Sequence, residues 1–126
     1  MKLLIVDDEK LTREGILKSL PLEKLGIHQT FLADDGIHGL KIALKEKPDL
    51  ILTDVRMPRM SGVEMAEEIL KVLPNAIILF MSAYSDKEYL KAAIKLKAVS
   101  YVDKPLDMNE LTEALSEGIR QYRSIY

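Results

Sequence analysis

Cysteine is absent from the chain, which removes disulfides, thiolate metal sites and cysteine nucleophiles together. That absence suits a reducing compartment, and a cytoplasmic location is the expectation. Glycine and proline are scarce, six and five in 126 residues, and no tract is repetitive or low in complexity. Disorder and repeat arrays fit such a chain poorly. No apolar run approaches the roughly 20 residues that a membrane span needs, and MKLLIVDD lacks the long apolar core and small-residue cleavage site of a signal peptide. There is no excess of positive charge either. A net charge of −2 with both signs interspersed gives no basic footprint for nucleic acid and no polybasic block for a membrane surface.

What is present is 48% hydrophobic residue, enough for the core of one compact domain. Short aliphatic runs recur at Leu3 to Val6, Thr30 to Ala33, Leu50 to Thr53, Ile77 to Met81 and Val99 to Val102, each bounded by polar or breaker residues. They read as five strands. Helical patterns separate them, the βαβ alternation of a doubly wound parallel sheet covered on both faces. In the last helix Leu111, Ala114, Leu115, Gly118, Ile119 and Tyr122 share a face, and Asp107 with Glu110 forms a near capping box at its start. Met65, Ala66, Ile69, Val72 and Leu73 make a similar stripe before Pro74. Between Asp86 and Lys97, Tyr89, Leu90, Ala93, Ile94 and Leu96 cover a wide apolar arc opposite Lys87, Lys91 and Lys95. This arc is read as a buried inner face with a solvated lysine edge; the alternative leaves Tyr89 or Leu96 partly exposed for a partner. The terminal RQYRSIY continues the last helix without a closing Gly or Pro, as expected of a chain cut from something longer.

The first aliphatic run ends abruptly in Asp7, Asp8 and Glu9. Adjacent carboxylates repel and resist leaving water, so the junction needs a reason. In a doubly wound sheet the loops after the carboxyl ends of the strands gather on one edge, and ligands sit where the strand order reverses. Asp7 and Asp8 follow the first strand, Asp54 ends the third, Ser82 ends the fourth and Lys104 follows the fifth, so all five converge there. Two carboxylates about 5 Å apart repel by about 3 kcal/mol at an effective dielectric near 20. Three acids against one lysine leave a deficit of two charges, which asks for a divalent cation. An all-oxygen, open set favours magnesium, with manganese as the alternative. Asp54 is hard to explain as a helix cap, because a loop and not a helix follows it.

These residues resemble the receiver domain of bacterial two-component response regulators. The resemblance runs through IVDDE, ADDGIHGL, PDLILTDVRMPRMSGVE, the Ser82–Ala83 pair and YVDKP, over residues 1–126. It implies a flavodoxin-like (βα)5 fold with strand order 2-1-3-4-5 and a phosphorylation-dependent switch. On this likeness Asp54 accepts the phosphoryl group, Asp8 and Asp54 bind Mg2+ through their side chains, and Asp7 acts through water. The backbone carbonyl of Arg56 completes the protein's share of the metal shell. Ser82 and Ala83 match the phosphoryl-binding pair, Lys104 the lysine that pairs with that group, and Tyr101 the aromatic switch. Pro105 implies a cis Lys104–Pro105 bond. The phosphoryl donor is a sensor histidine kinase, small acyl phosphates can substitute for it, and the chain catalyses its own phosphotransfer and slow dephosphorylation without being an enzyme in its own right. Phosphorylation repacks the face of fourth helix, fifth strand and fifth helix, through which a homodimer can also form. Arg56 and Tyr84 overhang the acyl phosphate and are expected to hinder its hydrolysis.

Other residues take milder readings. His28 and His38 are given surface roles, and Arg56 and Arg59 are equally well solvated loop charges or a means of steering an anionic donor. Leu11 and Gly15, projecting from the first helix while Ile16, Leu17 and Leu20 face the core, mark a candidate kinase-docking strip beside Arg13. A flavin carrier of the same fold would need a Ser-, Thr- and Gly-rich first loop, and a haloacid-dehalogenase-type phosphatase a second acid two places after Asp54. Neither is present. LPLEKLGI and TDVRMPRMSGVE further resemble receivers of YesN/AraC-type regulators, so control of DNA is expected only through a domain absent from this chain. A free-standing receiver or a phosphorylation-independent interaction module is the alternative.

Overall fold

The computed structural model describes residues 1–94 and 99–125, with the side chains of residues 84, 89, 92–94 and 99 outside that description. The parts of the expected apolar arc formed by Tyr89, Ala93, Ile94 and Leu96 lie outside the described residues. Five strands, β1 (Lys2–Val6), β2 (Gln29–Ala33), β3 (Leu50–Asp54), β4 (Ile77–Ser82) and β5 (Val99–Asp103), pair in parallel in the order β2-β1-β3-β4-β5. Each is longer than its aliphatic run, because backbone pairing continues into the polar residues Lys2, Gln29, Asp54, Ser82 and Asp103.

Alternation along each strand sends side chains to two cores, as period-two geometry requires. Leu3, Ile5, Leu50, Leu52, Ile77 and Leu79 pack with Ile16 of α1 (Lys10–Ser19), with Leu20 just after it, and with Leu111, Leu115 and Ile119 of α6 (Met108–Ile125). Leu4, Val6, Ile51, Ile78 and Phe80 pack on the other face. Their partners are Ala43 of α3 (Gly36–Glu46), Met65, Ala66 and Ile69 of α4 (Gly62–Val72) and Leu90 of α5 (Lys87–Ile94). Both faces are covered, which is why β1, β3 and β4 are almost uniformly apolar. Val72, the last residue of α4, departs from the stripe assigned to it and is exposed, whereas Leu73 just after it packs on the second core.

A short helix, α2 (Leu22–Leu25), follows α1 and ends in Gly26 at φ 77°. It places Leu25 and Ile27 on the first core. With α2 counted, the fourth and fifth helices of the sequence reading are α5 and α6. The chain leaves β1 for β2 on one side and returns to β3 on the other, so the strand order reverses between β1 and β3. That reversal opens a crevice at the carboxyl ends of these two strands. No helix among the described residues is long and apolar enough to cross a membrane.

Candidate functional site

Asp7, Asp8 and Asp54 meet at this crevice, each offering a carboxylate oxygen within 4.8 Å of the others'. The backbone holds them there. Asp7 N–H donates to the Ala33 carbonyl at the end of β2 (3.1 Å), and Arg13 of α1 donates from Nη1 to the Asp7 carbonyl (2.6 Å). Arg13 is therefore a brace for the first loop, in addition to lying beside the exposed Leu11. Behind Asp54, the loop 55–61 turns back so closely that a Cβ on Gly62 would stand 2.0 Å from the Asp54 carbonyl oxygen. Only glycine fits that approach. Gly62 N–H closes the loop on the Val55 carbonyl (2.8 Å), and Ser61 then opens α4 with a full capping box through Glu64.

The carboxylates differ sharply in surroundings. Asp7 is 0% exposed, Asp54 6%, and Asp8 faces solvent. Lys104 Nζ lies 3.0 Å from Asp54 Oδ2 and 4.0 Å from Asp7 Oδ2, the second too long for a hydrogen bond. Asp7 Oδ1 accepts the Glu9 N–H (2.8 Å), but its buried Oδ2 has no hydrogen-bond partner. Burial, reinforced by Asp54 and Asp8 against the relief of the Glu9 N–H and Lys104, pushes the Asp7 carboxyl up to about 6. Burial also raises Asp54, despite its bond to Lys104. Lys104 loses some basicity to burial and regains more from Asp54 and Asp7, so it stays firmly charged. An orphaned buried carboxylate oxygen, a second buried acid within 4.8 Å and a third open to water suit a hard divalent cation with part of its shell left to solvent.

The remaining site residues line the same edge. Ser82 is buried at the end of β4 and donates from Oγ to the Ala83 carbonyl (3.2 Å). Lys104 N–H donates to the Ser82 carbonyl (2.9 Å), which anchors the loop after β5, and the Lys104–Pro105 bond is cis. Tyr101, on edge strand β5, is 43% exposed, and the Lys87 ammonium sits 4.8 Å from its ring centroid while bonded to Asp103 Oδ1 (2.5 Å). Arg56 is on the β3–α4 loop with its Nε 3.0 Å from Asp86 Oδ1. The overhang expected of Tyr84 lies outside the described residues.

Of the milder readings, His28 is at the opposite pole, with Nδ1 2.6 Å from the Met1 amine, and His38 rests its ring on Asp34 (3.1 Å) at the exposed start of α3. Arg59 is not a loosely solvated charge: it pairs with the buried Asp35, which also caps α3 through the His38 N–H (2.8 Å). The pair joins the β3–α4 loop to the β2–α3 loop, and Arg59 itself sits at a φ of 70°. The capping box at Ser61–Glu64 and the close-approach glycine went unread in the sequence, although SGVE carries the signal for the cap. The links of Arg59 to Asp35 and of Arg56 to Asp86 join distant segments and had no local signal.

Comparison with known proteins bears on this geometry. Residues 3–116 match the model of the response regulator receiver domain. The transcriptional regulatory protein HptR of Staphylococcus aureus is 36% identical over 119 residues, 94% of this chain and 46% of that protein. An uncharacterised response regulatory protein of Staphylococcus epidermidis is 35% identical over 114 residues, 90% of this chain and 45% of its own length. The chain thus spans just under half the length of these curated relatives. Among solved structures, a two-component transcriptional regulator AraC from Clostridium phytofermentans superposes with a TM-score of 0.94 at 51% identity, covering 98% of this chain and 96% of that one. The REC domain of AraT, a response regulator from Geobacillus stearothermophilus, does so with a TM-score of 0.91 at 30% identity, covering 98% and 95%. With the acid cluster at the switch point of a β2-β1-β3-β4-β5 sheet and a family match over most of its length, the chain belongs to the receiver domains of response regulators, the phosphoacceptors of two-component signalling.

Proposed function

We propose that this receiver takes a phosphoryl group on Asp54 from the phosphohistidine of a partner sensor kinase, in a reaction that depends on Mg2+. The observation that carries the reading is Asp54 itself: a buried carboxylate closing β3, bonded to Lys104 and with an oxygen within 4.8 Å of oxygens of Asp7 and Asp8. A carboxylate is a weak nucleophile, so catalysis here is positioning plus neutralisation of negative oxygens. An oxygen of Asp54 forms the new bond to phosphorus as the bond from phosphorus to the imidazole nitrogen breaks, and the nitrogen keeps that electron pair. Burial holds the nucleophile in place. Lys104 offsets charge on the transferred oxygens, and Ser82 Oγ and the Ala83 N–H are the proposed donors to them. Asp7, Asp8, Asp54 and the Arg56 carbonyl are the groups that would hold magnesium, which when bound neutralises developing charge.

The added charge, about −1.5 to −2, draws Ser82 and Lys104 toward Asp54. Space vacated beside Ser82 lets Tyr101 turn inward, shifting a two-state equilibrium at the surface of α5, β5 and α6. That surface is the proposed output, acting on a DNA-binding domain further along a longer chain or pairing two copies. Leu11, 81% exposed on α1 beside the site, is the proposed point of kinase contact. Intact-mass measurement after acetyl phosphate and magnesium tests the acceptor: one added phosphoryl group on the native chain and none on Asp54→Ala is expected. Equal modification of both overturns the reading.

A further inference from the structure

Both donors assigned to the phosphoryl oxygens are occupied from within the chain. Ser82 Oγ is spent on the Ala83 carbonyl, and the Ala83 N–H donates to Asp86 Oδ2 (3.1 Å). The same carboxylate turns its other oxygen to Arg56, with Oδ1 3.0 Å from Nε. Asp86 is only 4% exposed and ends the 3-10 turn Tyr84–Asp86 immediately before α5. Arg56 sits two residues beyond Asp54, on the other loop that flanks the acceptor. One buried anion therefore ties both loops together across the site.

A helix cap explains half of this arrangement. Asp86 N–H donates to the Ala83 carbonyl (3.0 Å) while its side chain returns to the Ala83 N–H, a reciprocal pattern like that of a capping box. Such a cap requires neither burial nor a cation. Here the second oxygen is committed to a guanidinium from another segment, the pairing a buried charge needs. The partners of Asp86, a backbone N–H and an arginine, are also those that hold a phosphoryl oxygen.

We infer that Asp86 is an internal anion standing in the resting site, where it competes with the phosphoryl group for the Ala83 N–H and for Arg56. The inference rests on the reading of Asp54 as acceptor. A phosphoryl group carries more charge than a carboxylate and takes both partners, releasing Asp86. Release loosens the turn before α5, whose first residue, Lys87, bridges Asp103 and the Tyr101 ring. Asp86 is thus a positioning residue that sets the threshold of the switch and links the site to its output surface.

Titration with beryllofluoride in the presence of magnesium, a mimic of the phosphoryl group, tests this. Asp86→Asn keeps the shape and a neutral acceptor for Ala83 but removes the charge that holds Arg56. It is expected to bind beryllofluoride roughly tenfold more tightly than the native chain. In an Arg56→Gln background the gain should shrink to less than about threefold, the signature of coupled partners. Asp86→Ser, which retains a capping hydroxyl, provides the same comparison should the asparagine variant fail to fold. Unchanged or weaker binding by the folded variants would show that Asp86 is a cap alone and overturn the inference. No response in the native chain would instead overturn the acceptor reading, and this inference with it.

Discussion

Strand β3 has an aspartate at each end of its run, and the two could hardly be treated more differently. Asp49, just before the strand, has both oxygens engaged: Oδ2 accepts the Lys2 N–H (2.9 Å) and Oδ1 the Tyr122 hydroxyl (2.6 Å) from α6. Its backbone also joins β1 and β4, donating to the Lys2 carbonyl and accepting from Ile77 N–H, both at 3.0 Å. Asp54, at the other end, shares a crevice with two more acids, one of which buries an oxygen without a partner. The amino-terminal pole of the sheet is electrostatically finished; the carboxyl-terminal pole is not. A carboxylate that staples elements together has its bonds satisfied within the chain, whereas one left in deficit marks where a ligand supplies the remainder.

The contrast predicts opposite signs for equivalent changes at the two poles. Asp7, raised from its ordinary 3.8 to about 6, binds more protons folded than unfolded. Its favourable contribution is therefore complete below pH 3.8 and is lost as pH rises through about 6, a change of about 3 kcal/mol. Asp7→Asn should accordingly stabilise the metal-free domain at pH 7.5 by an amount approaching that, measured by urea unfolding, and should abolish stabilisation by added magnesium. Native protein should gain more from magnesium at pH 7.5 than at pH 5, where Asp7 is protonated. At the other pole Asp49→Ala should destabilise by about 2 kcal/mol, because it removes the acceptor of both the Lys2 N–H and the Tyr122 hydroxyl bonds, and magnesium should still act. Smaller still, Ser61→Ala removes the capping box that launches α4 and should cost about 1 kcal/mol, with little change in magnesium affinity. Destabilisation by Asp7→Asn would erase the distinction between the poles.

The unfinished pole was the more legible of the two in the sequence. VDDE, LILTD and YVDKP each place a charged group directly after an apolar run, so strand ends and candidate ligands are read together, and parallel topology brings them to one edge. The finished pole left no such trace: Asp49 and Tyr122 are 73 residues apart and meet only because α6 folds back along the sheet. Asp86 was hidden for the same reason, since half its role depends on an arginine from another loop. Helix α2 escaped periodicity because four residues are too few to show a face, and Arg59 took a left-handed conformation that its side chain does not announce. Val72 erred in the other direction, fitting an apolar stripe yet lying exposed as the last residue of α4.

All of this turns on Asp54 being the atom donor for the new bond to phosphorus. Borohydride reduces an aspartyl phosphate to homoserine, so phosphorylation with acetyl phosphate and magnesium, reduction and peptide mass mapping identify the modified residue. Homoserine at position 54, dependent on magnesium and with Asp7, Asp8 and Asp86 unchanged, is the expected result. Homoserine at any of those other aspartates with position 54 intact would contradict it.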